Sequence, residues 1–200
     1  MSASPDLIAL LRAVGSGQRA VAEQLLDAAQ ELNLARVGRI EEFFLDESGA
    51  QVYAGDTALH AAAFVYDTLF ARRLVESGAD VRARNRRGSE PVHAATRGGP
   101  GSRNWDPGRQ RAVIAYLADV GADPNAAAVG GVTPLHRAVR NRCSVAVEAL
   151  LQVGADPRLA NGNGSTASDL AQWMTGRGGS GSVEARAEQQ LIIELLLLAH

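Results

Sequence analysis

The chain contains no lysine, and its 20 Lys-plus-Arg residues are all arginine. That absence excludes a phosphate loop ending in lysine, a Schiff-base lysine and lysine general-base chemistry. It also lowers the weight of any arginine cluster, since a chain that uses Arg at every basic position bears the mark of coding bias. Cys143 is the single cysteine, so no internal disulfide can form, which suits a reducing compartment and makes the cytoplasm the expected location. No apolar run approaches membrane-spanning length, and the first residues carry Asp6 and no basic start, so neither a membrane span nor a secretory signal is expected. The formal charge of −2 argues against non-specific coating of nucleic acid, which depends on neutralising many phosphates at once.

What the sequence has instead is repetition. Val132-Thr133-Pro134-Leu135-His136 has degenerate copies at Asp56-Thr57-Ala58-Leu59-His60, Ser89-Glu90-Pro91-Val92-His93 and Ser165-Thr166-Ala167-Ser168-Asp169. The steps from Thr57 to Glu90, Thr133 and Thr166 are 33, 43 and 33 residues. Gly-Ala-Asp at 78–80, 121–123 and 154–156 repeats the same 43 and 33. Each of these glycines stands where a helix must end, and Pro124 and Pro157 prevent its continuation.

A 33-residue period with a T-P-L-H-x-A signature resembles the ankyrin repeat family, here in the form of a bacterial-type member with inserted loops. The resemblance implies an all-α solenoid of helix-turn-helix units with short β-hairpin-like connections. Residues 1–200 then form one domain: capping helices over about 6–30, an extended finger over 31–54, and repeats over 55–87, 88–130, 131–163 and 164–200. The ten extra residues of the second repeat fall in the 98–108 loop, with Asp106 capping a helix that opens on Pro107. A comparable glycine loop, 176–182, precedes the last helix of the fourth repeat. That helix, 184–199, is apolar on more faces than a terminal repeat needs, which marks it for a homodimer contact unless loops cover it.

Few residues are placed for catalysis. His60, His93 and His136 share one repeat position, where the resemblance implies that each ring bonds its own motif threonine and the backbone of the next repeat. Stacked repeats separate them by about 8 to 10 Å, too far to share a metal ion. His200 alone remains outside the pattern, and Asp169 takes the histidine's place in the fourth repeat. Cys143 follows Arg142 at the start of a helix, an environment that could activate a thiol or merely leave a small residue facing solvent. Gly176, Gly178 and Gly181 match G-x-G-x-x-G, but no strand precedes them and no βαβ unit follows, so no dinucleotide site is expected. Neither a metal nor a cofactor is called for, and the chain reads as non-enzymatic.

The resemblance also implies which side chains face the concave groove: Tyr53, Phe64, Arg84, Arg86, Arg87, Ser89, Arg97, Arg140, Asn141 and Trp173. Arginine with aromatic residues favours a protein partner with an acidic or aromatic surface. A second reading places a small-molecule or anion pocket, or a small active site, between the 98–108 and 176–182 loops. There Trp105 would form an apolar floor, with Arg103, Arg142 and Arg177 as anion ligands.

Overall fold

A computed structural model describes residues 5–33, 35–38, 43–45, 50–102, 105–176 and 182–199. The chain begins with α1 (Pro5–Gly15) and α2 (Arg19–Ala28), followed by a short 3-10 turn over Gln30–Asn33. Strands β1 (Phe43–Leu45) and β2 (Ala50–Val52) then pair antiparallel, with Phe43 opposite Val52 and Leu45 opposite Ala50. The connection between them, residues 46–49 of the expected finger, lies outside the described residues.

Four helix pairs follow: α3 (Ala58–Phe64) with α4 (Thr68–Glu76), α5 (Pro91–Ala95) with α6 (Pro107–Asp119), α7 (Pro134–Arg140) with α8 (Ser144–Gln152), and α9 (Ala167–Gly176) with α10 (Val183–Leu198). First helices stack in one layer, α1 on α3, α3 on α5, α5 on α7 and α7 on α9. Second helices stack in another, α4 on α6, α6 on α8 and α8 on α10. One apolar core runs between the layers, from Leu7, Leu10 and Leu11 through Phe70, Ile114 and Leu150 to Ile192 and Leu196.

The local chemistry repeats with the period. Gly78, Gly121 and Gly154 adopt φ of 95°, 101° and 92° just past α4, α6 and α8. Behind each, the alanine N–H reaches back to a helix carbonyl: Ala79 to Leu74, Ala122 to Leu117 and Ala155 to Leu150. That is the left-handed stop which glycine makes without a Cβ penalty. The aspartate that follows turns the chain once more, with Oδ1 accepting from the backbone N–H of Arg82, Asn125 or Arg158.

The loops between pairs are joined tip to tip. Arg86 N–H donates to Ala54, Val129 N–H to Arg87 and Gly162 N–H to Gly130, at 2.7 to 2.8 Å. Asn85 and Asn161 brace their own loops, each Oδ1 accepting two backbone N–H groups. The equivalent residue in the middle loop is Ala128, whose loop is closed by backbone bonds, Ala128 N–H to Val132 and Gly131 N–H to Ala128, each at 3.0 Å.

The inserted loop of the second repeat folds back onto the third. A Cβ on Gly99 would stand 3.0 Å from the Asn141 carbonyl and 3.2 Å from Cys143 Cβ. Trp105 packs against the core, and its indole N–H donates to Gln110 Oε1 at 2.8 Å. Asp106 then caps α6 by accepting from Arg109 N–H, with Pro107 in the first turn. Cys143 is thereby sealed with no exposure, and burial raises its thiol pKa. Both sequence expectations for this residue, an activated thiol and a solvent-facing one, are corrected by the loop that covers it.

Candidate partner-binding groove

The three motif histidines are framework. Thr57 N–H donates to His60 Nδ1 at 3.2 Å, while His60 Nε2 meets the Ser89 carbonyl at 3.0 Å. His136 repeats this between Thr133 and Ser165, and His93 between Glu90 and Val132. A backbone donor at Nδ1 leaves no room for a proton there, so the ring is neutral with its hydrogen on Nε2. Burial is the leading cause that lowers the pKa of all three, to about 3 for His93, where Arg137 adds to it. Asp169 substitutes in the fourth repeat, its Oδ2 accepting from Thr166 N–H and Oγ1 at 2.8 Å. Among the described residues, no group of three or more His, Cys, Asp and Glu is arranged to hold a metal ion.

The concave side carries a cleft of about 1420 Å³, walled by the interrepeat loops and the exposed faces of α3, α5 and α7. Tyr53, just past β2, lines it. The guanidinium groups of Arg87, Arg86 and Arg97 lie 5.0, 5.9 and 6.0 Å from its ring centroid, and Arg87 Nη1 donates to its hydroxyl at 2.9 Å. Arg97 also covers the Phe64 ring at 5.2 Å. Phe64, Arg97 and Arg140 occupy one repeat position in successive units, so the stack itself aligns them along the groove.

Arg137 joins this cluster, although the groove residues expected from sequence do not include it. It follows the motif histidine, where the first two repeats carry Ala61 and Ala94. Its Nη2 donates to Ser89 Oγ at 2.9 Å and its Nη1 to the His93 carbonyl at 3.3 Å. Burial first, then the neighbouring Arg97 and Arg87, bring its pKa down to about 10. Among the described residues, Arg87, Arg97, Arg137 and Arg140 enter no ion pair. The cleft does contain carboxylates, but each has a structural task. Asp56 accepts from Tyr53 N–H and Asn85 Nδ2; Asp67 caps α4 and holds Arg19 at 2.6 Å; Asp106 caps α6.

Other expected residues fall elsewhere. Arg84 is drawn out of the groove by Glu90, which replaces the motif threonine and pairs with Arg84 Nε at 3.0 Å. Trp173, at the repeat position after Arg140, is 68% exposed and does not line the cleft. Asn141 does line it, but its side chain is used to tie α7 to the second repeat through the Thr96 carbonyl, at 2.8 Å. In the loop-pocket reading, Trp105 lines this same cleft whereas Arg142, held at a left-handed φ of 51°, does not. Arg103 and Arg177 lie outside the described residues. On α10, Leu191, Leu197 and Leu198 are exposed, so the face that the sequence marks for a second copy is uncovered in the single chain. No helix among the described residues is long and apolar enough to cross a membrane.

A two-layer helical repeat with a continuous concave cleft defines a solenoid scaffold. The family model for the ankyrin repeat matches residues 54–86 and 130–162, and this chain is an ankyrin-repeat protein. It is similar to ankyrin repeat and SOCS box protein 16 of Mus musculus, 38% identical over 117 residues, which are 58% of this chain and 25% of that protein. The protein of the same name from Homo sapiens is 35% identical over 152 residues, 75% of this chain and 29% of that one. The human BCL-6 corepressor-like protein 1 is 34% identical over 119 residues, 59% of this chain and 6% of its own length. The chain therefore spans under a third of the length of these relatives. Ankyrin repeats as a class mediate protein–protein interaction.

Proposed function

We propose that this chain is a non-enzymatic interaction module that holds a protein partner along the concave cleft. The observation that carries this is the group of Tyr53, Phe64, Arg87, Arg97, Arg137 and Arg140 in one groove, its arginines without an ion-pair partner among the described residues. Guanidinium groups pair bidentately with carboxylates and stack on rings, and Tyr and Arg are the residues that most often anchor interfaces. The partner segment is accordingly acidic or aromatic. Among the described residues, the three motif histidines have framework partners and Cys143 is buried, which supports a binding role over a catalytic one. A reducing, cytoplasmic setting suits a chain whose single thiol is sealed in its core.

Random peptides displayed on phage and panned against the chain test this reading. Enriched peptides should carry Asp, Glu or aromatic residues, and their affinity should fall about tenfold or more in Phe64→Ala and Arg97→Ala. Unchanged binding to both variants, with folding intact, would place the interface elsewhere.

A further inference from the structure

The cluster at Tyr53 has a property that a general acidic preference does not exhaust. Like charges brought together cost free energy unless something opposite arrives, and among the described residues no carboxylate pairs with Arg87, Arg97, Arg137 or Arg140. Arg137 is half-buried and fixed by two neutral acceptors, Ser89 Oγ and the His93 carbonyl, which hold its guanidinium without cancelling its charge. Arg97 and Arg87 stand beside it, anchored in turn over the Phe64 and Tyr53 rings. Arg140 approaches from the next turn of α7 with its side chain exposed.

We infer that Arg87, Arg97, Arg137 and Arg140 form a receptor for a phosphorylated side chain on the partner segment, an inference that rests on the groove reading above. A carboxylate brings one charge and two acceptor oxygens. A phosphorylated Ser, Thr or Tyr brings about −1.5 to −2 and three acceptor oxygens, which answers several converging guanidinium groups at once. A polyanion fits less well. Among the described residues Arg87, Arg97, Arg137 and Arg140 gather in one cleft, in a chain of net charge −2, whereas a nucleic acid backbone requires an extended basic track. The ring of Tyr53 and the half-buried Phe64 beside the cluster offer apolar contact to residues flanking the phosphoryl group.

The test uses the full chain and three immobilised degenerate peptide libraries, identical except at the centre. One is centred on phosphorylated Ser, Thr and Tyr, one on the unmodified residues and one on Glu. Selective retention by the phosphorylated library is expected, with affinity for a selected phosphopeptide falling about tenfold or more on dephosphorylation. Arg97→Gln and Arg140→Gln should each reproduce a loss of that order, while Arg158→Gln, remote and paired with Asp156, should not. Arg137→Gln also removes framework bonds, so the two other variants, with denaturation midpoints matched to the parent, carry the test. Equal, groove-dependent retention by the Glu and phosphorylated libraries would overturn this inference and leave the groove reading standing. Phosphopeptide binding indifferent to Arg97 and Arg140 would likewise overturn it. Selected peptides that bind Phe64→Ala as tightly as the parent would count against the groove itself.

Discussion

Lowering the pH from 7.5 to 5.0 should destabilise the fold through the motif histidines, and His93 gives the magnitude. An unfolded histidine titrates near 6.5, whereas burial and Arg137 hold the folded ring at about 3. Between those values the unfolded chain binds a proton that the folded chain refuses, so stability rises with pH across the window and is lost as pH falls below 6.5. At pH 5.0 the loss from His93 alone is about 2 kcal/mol. The geometry gives the same sign: protonation at Nδ1 would set an N–H against the Glu90 N–H that now donates to it from 3.1 Å. His60 and His136 act in the same direction. Glu90, whose carboxyl burial raises, titrates in the opposite sense. The quantity to read is therefore the difference between the parent and His93→Gln in urea unfolding at pH 7.5, 6.5 and 5.0. The variant should lose about 2 kcal/mol less than the parent over this range. Identical profiles, or an NMR titration placing native His93 near 6.5, would refute the framework role and the tautomer assigned to it.

Three further outcomes follow from particular contacts. Gly130 and Gly131 both hold positive φ, but a Cβ on Gly131 would lie 2.8 Å from Gly162 N and one on Gly130 meets nothing. Gly130→Ala should cost about 1 kcal/mol and Gly131→Ala about 2 kcal/mol or more, read as denaturation midpoints; equal costs would contradict the tight loop-to-loop packing. Cys143 should react with a thiol reagent only on unfolding, and stoichiometric labelling of the native chain would show that the 98–102 segment does not seal it. Asp67→Ala removes the cap of α4 and the partner of Arg19 together and should cost about 1 to 2 kcal/mol in urea unfolding. Arg19→Ala, at a side chain 38% exposed, should cost less than 1 kcal/mol, and the reverse order would shift the weight from cap to ion pair.

Much of the scaffold was legible because its chemistry is local. A Gly-Ala-Asp triplet stops a helix by the conformation of its own glycine, and Asp106-Pro107 starts one by its own cap and ring. The period places the motif histidines in equivalent sites, and the resemblance to ankyrin repeats implies their framework role. What the sequence hides is the product of contacts between units. Nothing near Cys143 in the chain announces that Gly99 and Trp105 from the preceding repeat will close over it. Arg137 is not legible as a groove residue because its equivalents in the first two repeats are the alanines Ala61 and Ala94, which read as scaffold; the single Arg in that column is the available signal. The resemblance to ankyrin repeats implies a groove position for Arg84, yet Glu90 in the threonine's place pairs with it, and that substitution is visible in the sequence. Trp173 extends the Phe64, Arg97 and Arg140 column, but the cleft ends before it.

The most direct test of a concave interface is site-specific photo-crosslinking in a native lysate, with a photoreactive side chain at one position at a time. Val129 lines the cleft and is 70% exposed, Arg111 lies on the outer helix α6, and Leu191 lies on α10. A protein adduct that forms from Val129, is absent from Arg111 and Leu191, and disappears with Arg97→Ala is the expected result. Adducts formed from Arg111 or Leu191 while Val129 stays silent would contradict the concave interface.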